Sequence, residues 1–283
     1  MLDTTAGSTE EIEAGDRFAF GDNWTSFAGL VDEERIASAT ESLTQSLGVT
    51  DLTGLSFLDI GCGSGLFSLA AHRLGARVRA FDFDPASVAA ATELRRRFAP
   101  GAAWSVETGS VLDADYVAGL GRFDVVYSWG VLHHTGRMWD GLAAAAALVA
   151  PGGRLFVSIY NDQGFASRNW RRVKRTYNRS GKAGRMLLVT LSGLYLSRHR
   201  PLWALIRAVR PGRRTAPAPR RRGMSRRHDL VDWVGGYPFE VARPEEVFRF
   251  ITGRGFVLRH LTTCGGGIGC NEYVFERVGD PAA

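Results

Sequence analysis

An aspartate followed by glycine at alternate positions, Asp59-Ile60-Gly61-Cys62-Gly63-Ser64-Gly65, is the stretch of this chain best suited to hold a small ligand. Glycine lacks a Cβ, so the backbone can take positive φ and let a ligand lie against the main chain, while the amides opening the next helix point at it. Such a turn also serves tight strand-to-helix connections that bind nothing. Asp82 is what tips the reading toward a ligand, because it stands roughly twenty residues past the loop, where an α/β nucleotide site keeps a carboxylate for the ribose hydroxyls. No Gly-Lys-Ser/Thr follows the glycines, so this is not a phosphate-binding P-loop. The spacing also differs from the Gly-x-Gly-x-x-Gly of dinucleotide sites.

The elements around these residues alternate. Apolar runs predict strands at Ser56 to Ile60, Ala76 to Phe81, Trp104 to Glu107, Asp124 to Tyr127 and Arg154 to Tyr160. Helices are expected at Gly65 to Leu74, at Pro85 to Phe98 with proline in the first turn, and at Met138 to Val149. The alternation predicts an α/β fold with a doubly wound parallel sheet. Ligands of such sheets lie beyond the C-terminal strand ends, so Asp59, Asp82, Ser110, Ser128 and Tyr160 are expected to face one crevice. Farther on, a helix at Arg243 to Thr252 precedes two strands, Gly255 to Thr262 and Asn271 to Val278, joined by a glycine-rich turn.

Residues of about 55 to 160 resemble the core of a class I S-adenosylmethionine-dependent methyltransferase. The matching segments are Leu58 to Gly65, Phe81-Asp82-Phe83-Asp84-Pro85, Gly109-Ser110-Val111-Leu112-Asp113, Phe123 to His134 and Pro151-Gly152-Gly153-Arg154-Leu155. The resemblance implies a Rossmann-like seven-stranded sheet, six strands parallel and one antiparallel, with S-adenosyl-L-methionine as methyl donor. It implies that Asp59, Gly61, Gly63 and Gly65 cradle the methionine part, Asp82 the ribose, and Phe83 and Val111 the adenine faces. Ser110 stands at the adenine edge, where the family usually has an aspartate; Cys62 and Ser128 complete the expected cofactor set.

Methyl transfer is an in-line displacement, so the protein has to align the partners and take a proton where the acceptor is a hydroxyl. Histidine titrates near neutral pH, and His133 or His134 after the fourth strand is the expected base; the alternative is that they pack or bond the loop. The expected reaction is O-methylation of a small or lipid-linked metabolite. Alternatives are methylation of tRNA or another RNA, and cofactor binding without catalysis. Ser128-Trp129-Gly130-Val131 lacks the Asn/Asp-Pro-Pro-aromatic signature of enzymes that methylate base nitrogens.

Both flanks depart from a minimal core. Met1 to Asp16 is acidic, reads as a disordered leader and has no signal-peptide pattern, and Cys62, Cys264 and Cys270 form neither a paired framework nor a metal spacing. A cytoplasmic protein with reduced thiols and no metal is expected. Residues 1–50 divide into leader, an aromatic segment Arg17 to Phe27 that either packs on the surface or closes over the cofactor, and a helix at Asp32 to Leu47. Residues 51–162 form the core.

Residues 163–228 form a basic helical insertion, with no acidic residue and 19 of the 35 Lys and Arg, so that the rest of the chain is net acidic. It contains Arg171-Arg172-Val173-Lys174-Arg175, an apolar run Met186 to Leu196, the helical spacing Leu202, Leu205, Ile206, Val209, and a Pro-rich linker within Gly212 to Pro219. The readings are a helical cap with solvated arginines, an amphipathic face for an anionic membrane or lipid-linked acceptor, and RNA binding; nucleic acid is the least favoured. At eleven residues the apolar run is too short to span a bilayer. Residues 229–283 carry the loop Gly235-Gly236-Tyr237-Pro238-Phe239-Glu240, where Tyr237 could orient an acceptor and Glu240 take its proton, then the closing hairpin.

Overall fold

The computed structural model describes residues 10–12, 14–102, 104–197, 226–265 and 267–279. The helical spacing at Leu202 to Val209, the linker at 212–219 and the arginines 220–222 lie outside them.

The strands are β1 (Ser56–Ile60), β2 (Arg77–Asp82), β3 (Ser105–Thr108), β4 (Phe123–Trp129), β5 (Val149–Tyr160), β6 (Phe256–Thr262) and β7 (Cys270–Arg277). They form one sheet in the order β3-β2-β1-β4-β5-β7-β6. Neighbours from β3 to β5 run parallel, while β7 is antiparallel to both β5 and β6. The expected seven-stranded sheet is therefore present, its single antiparallel strand threaded between β5 and the edge.

Helices cover both faces. One is packed by α2 (Glu33–Leu47), α3 (Leu66–Arg73) and α4 (Pro85–Phe98), which bury Ile36, Leu43, Leu69 and Leu94 with Phe57 and Val125. The other carries α5 (Ala114–Ala118), α6 (Met138–Ala147) and α10 (Pro244–Thr252), burying Leu142, Val247 and Ile251 with Leu58 and Val157. Local chemistry starts these helices. Asp32 accepts from the Arg35 amide, Asp84 from that of Ala86 with Pro85 behind it, and Asp113 from those of Asp115 and Tyr116.

A third cluster joins Phe18, Tyr177 and Val234. It unites the N-terminal segment with α7 (Phe165–Asn178), α8 (Lys182–Ser197) and α9 (Arg226–Gly235). The aromatic segment is itself a helix, α1 (Phe20–Ala28). Residues 10–12 and 14–16 correct the expectation of a disordered leader through Asp16, because they form a turn held by the Ala14, Gly15 and Asp16 amides, and Glu11 pairs with Arg17 at 2.5 Å. The basic run is not uniformly solvated either: α7 turns Ser167, Trp170, Lys174 and Tyr177 inward, and Lys174 is fully buried.

Candidate active site

Gly61, Gly63 and Gly65 all take positive φ, 72, 53 and 78°. The Gly61 and Cys62 amides donate to the Phe81 carbonyl at 2.9 and 3.1 Å, tying the loop to the end of β2. A Cβ on Gly61 would stand 2.4 Å from Val131 Cγ1, and one on Gly63 3.0 Å from the Trp24 ring. Asp82 receives the Gly63 amide on Oδ2 and the Asp84 amide on Oδ1, each at 2.9 Å. Burial pushes its carboxyl up to about 6, against the pull of those donors. Asp59 is buried and accepts the Ser68 hydroxyl at 2.6 Å. Burial, then the charges of Asp82 and Asp59, raise the Cys62 thiol well above its usual range.

Asp59, Gly61, Cys62, Gly63, Asp82, Phe83, Ser110 and Val111 line a cavity of about 710 Å³. This set could hold a nucleoside-bearing cofactor, with glycines where its backbone must pass, an acid beside hydroxyls and apolar walls for a base. Ser128 does not belong to it: fully buried, it donates to the Ile60 carbonyl at 3.2 Å and braces β1 from behind.

The N-terminal segment roofs the cavity. The Gly21 amide donates to Asp84 Oδ2 at 2.8 Å, in a space where a Cβ would fall 2.6 Å from that oxygen. Trp24 lies on Gly63, and the Arg17 guanidinium sits 4.9 Å over the Phe83 ring while donating to the His134 carbonyl at 3.0 Å. Asn23 Nδ2 reaches Asp232 Oδ1 at 2.7 Å and the His228 carbonyl at 3.3 Å.

At the other end the two histidines part. His134 lines the cavity, and its Nδ1 stands 2.6 Å from the Pro238 carbonyl, which fixes the proton on Nδ1 and a lone pair on Nε2. Burial lowers its pKa to about 3, helped by Lys174 and Arg17. His133 is 0% exposed, packs 3.9 Å from the Tyr160 ring centroid and does not reach the lining. Tyr237 and Glu240 also lie off the cavity. Tyr237 precedes a cis proline and accepts the Phe18 amide; Glu240 accepts the Met138 amide at 3.0 Å, at the start of α6.

The facing wall is built from Tyr160, Trp233, Asp229 and Asp232. Behind it Lys174 donates to the Trp233 carbonyl and lies 4.6, 4.7 and 5.4 Å from the Trp233, Phe239 and Tyr160 ring centroids. Burial depresses its pKa strongly. Sequence reasoning passed over Asp232 and Lys174; the signal for Lys174 was the spacing of Ser167, Trp170, Lys174 and Tyr177 along one helical face. Among the described residues no group of three or more His, Cys, Asp or Glu side chains could hold a metal ion.

Residues 58–155 match the family described as a methyltransferase domain. Over 115 residues, 41% of this chain and 45% of the other, the chain is 36% identical to a ubiquinone biosynthesis O-methyltransferase of Methylobacterium sp. (strain 4-46). It is 36% identical over 111 residues, 39% of this chain and 45% of the other, to one from Xanthomonas oryzae pv. oryzae (strain PXO99A). The matches thus span less than half the length of these relatives. The fold is shared with an O-methyltransferase family protein from Burkholderia thailandensis, at TM-score 0.50 and 15% identity over 85% of this chain and 57% of that one. The shared segment runs from the glycine loop to the fifth strand and lines the glycine-loop end of the cavity, so residues 58–155 of this chain form a methyltransferase domain.

Proposed function

We propose that this protein transfers a methyl group from S-adenosylmethionine to a hydroxyl of a small or lipid-linked metabolite. The observation that carries the reading is a single cavity joining the glycine loop and Asp82 to a wall of Tyr160, Trp233, His134 and Asp232. The cofactor would supply the methyl group and leave as a thioether. Asp59 and the loop would hold its methionine part, Asp82 its ribose, Phe83 and Val111 its base, with Ser110 at the base edge and α1 closing over it. Tyr160 and Trp233 pack edge to face with ring centroids 5.0 Å apart, and an acceptor would lie against this pair on its cavity side. There His134 would offer a fixed lone pair but, with a conjugate acid near 3, hold a proton poorly at neutral pH.

The 36% identity to O-methyltransferases supports an oxygen acceptor. A peripheral membrane role for residues 165–228 belongs to the same proposal. Leu187, Leu191 and Leu194 recur on one face of α8 and are 58, 53 and 64% exposed, and the preceding α7 carries Arg168, Arg171, Arg172 and Arg175. No helix among the described residues is long and apolar enough to cross a membrane. We place the protein in the cytoplasm, at the surface of anionic membranes.

Methyl-labelled S-adenosylmethionine, incubated with the enzyme and with lipid extract, water-soluble metabolites or total RNA of the native cell, tests this reading. Label in lipid or soluble metabolites is expected; label in RNA would replace it with RNA modification. Absence of label from all three, with cofactor bound, would replace it with a non-catalytic binder.

A further inference from the structure

Resting on the methyl-transfer reading above, we propose that Asp232 is the base that takes the acceptor's proton, and that the N-terminal roof sets its carboxylate in place. Asp232 stands on α9 and lines the acceptor end of the cavity. Its Oδ1 accepts the Asn23 amide of α1 at 2.7 Å, so the roof that closes the cofactor end also orients this carboxylate. The other acids around the cavity are differently employed. Asp82 receives two backbone amides, Asp59 the Ser68 hydroxyl, and Glu272 the Trp129 indole at 3.1 Å. Asp229 is exposed. Glu240 and His133 do not reach the lining.

The surroundings suit the task. Burial pushes the Asp232 carboxyl up to about 7; the Asn23 bond and Lys174 oppose that rise and Asp229 adds to it. A base that changes charge near the working pH has both the right form available and the driving force to hold a proton. The titratable groups that interact with it from the packed elements are Asp229 on α9, Lys174 and Tyr177 on α7 and Tyr160 on β5; Cys270 of β7 lines the same cavity, and His228 of α9 packs on Phe27. On α8, Arg185 donates to the Tyr177 and Asn178 carbonyls. Lys174, caged by the three rings, is a cation that favours the ionised form of Asp232.

In the step, the acceptor O–H bond breaks and its proton goes to an Asp232 oxygen. The oxygen pair forms the new bond to the methyl carbon, and the pair of the breaking carbon–sulfur bond departs with sulfur. A neutral thioether, a methyl ether and a protonated Asp232 balance the cationic sulfonium, the alcohol or phenol and the carboxylate. Loss of the proton to water resets the site.

The test uses the full chain in two measurements. In cofactor-free protein labelled with 13C at aspartate carboxyls, NMR from pH 4 to 9 should show a resonance titrating near 7 in wild type and Asp229→Asn and missing in Asp232→Asn; Asp82→Asn identifies the neighbouring titration near 6. Label transfer to the accepting cell fraction should rise with pH through that same midpoint. It should fall roughly 100-fold or more in Asp232→Asn, with partial rescue by Asp232→Glu, while affinity for S-adenosylhomocysteine stays within about twofold. Transfer within about tenfold of wild type in Asp232→Asn with the rising limb kept, or a resonance near 7 that survives the substitution, would overturn the assignment to Asp232 alone. Wild type that binds S-adenosylhomocysteine but labels no fraction would overturn methyl transfer itself.

Discussion

Asn23 and Asp232, 209 residues apart in the chain, are joined by a 2.7 Å hydrogen bond from Nδ2 to Oδ1 that links the helical roof of the cavity to its wall of Tyr160, Trp233 and Asp232. Binding at one end therefore bears on geometry at the other, because α1 also rests on Gly63 through Trp24 and on Asp84 through Gly21.

Asn23→Ala should loosen that roof. A hydrogen bond to a charged group contributes about 1.5–3 kcal/mol, part of which water would recover in the variant. Affinity for S-adenosylhomocysteine, measured by calorimetry, is expected to drop roughly five- to thirtyfold, with circular dichroism unchanged.

Asp82 is expected to make cofactor binding depend on pH. Its folded pKa is raised to about 6, and the ionised form is the better acceptor for ribose hydroxyls. Affinity for S-adenosylhomocysteine should be full above about pH 7 and weaken as pH falls through 6. Asp82→Asn should bind weakly, on the order of tenfold or more below wild type, and without that inflection.

Much of this site could be read directly from the sequence because its determinants are local. The alternate glycines after Asp59, Asp82 at the end of the next strand and Pro85 opening a helix each follow from chain geometry within a few residues. The wall opposite the glycine loop could not be, since Asn23, Lys174 and Asp232 meet only through tertiary packing. A lysine in a run of arginines looks solvated until the helical period is counted. Glu240, an acid beside aromatics and glycines, looked like a base; it is instead engaged at the start of α6.

That engagement has a consequence for Glu240. Its carboxylate accepts the Met138 amide, an anion at a helix N-terminus. Glu240→Gln should keep transfer activity within about twofold and lower stability by under about 1 kcal/mol, and Glu240→Ala by about 1–2 kcal/mol in denaturant titrations. A hundredfold loss of rate in Glu240→Gln at unchanged stability would place it back in the chemistry.

The exposed face of α8 predicts membrane behaviour. Leu191→Asp with Leu194→Asp alters side chains already 53 and 64% exposed, so folding should be retained. Wild type is expected to sediment with vesicles containing a third phosphatidylserine and the double variant to remain in solution, because burying those two leucines contributes about 3 kcal/mol or more. Equal sedimentation of both proteins would leave the arginines alone to account for binding, and 0.5 M salt would then release it.

Asp232 should set function against stability. Its folded pKa is raised from 3.8 to about 7, so its contribution to stability is fully present below about pH 4 and is lost as pH rises through 7. Asp232→Asn removes that loss while keeping the shape and the contact with Asn23. The variant and wild type should therefore unfold at similar temperatures near pH 4. By pH 8 the variant should be the more stable, by on the order of 4 kcal/mol at about 1.4 kcal/mol per pKa unit. Thermal unfolding at the two pH values gives the comparison. An ionised Asp232 held by Lys174 at no cost would instead leave the two proteins level at pH 8, and the carboxylate would then be an ordinary member of a buried ion pair.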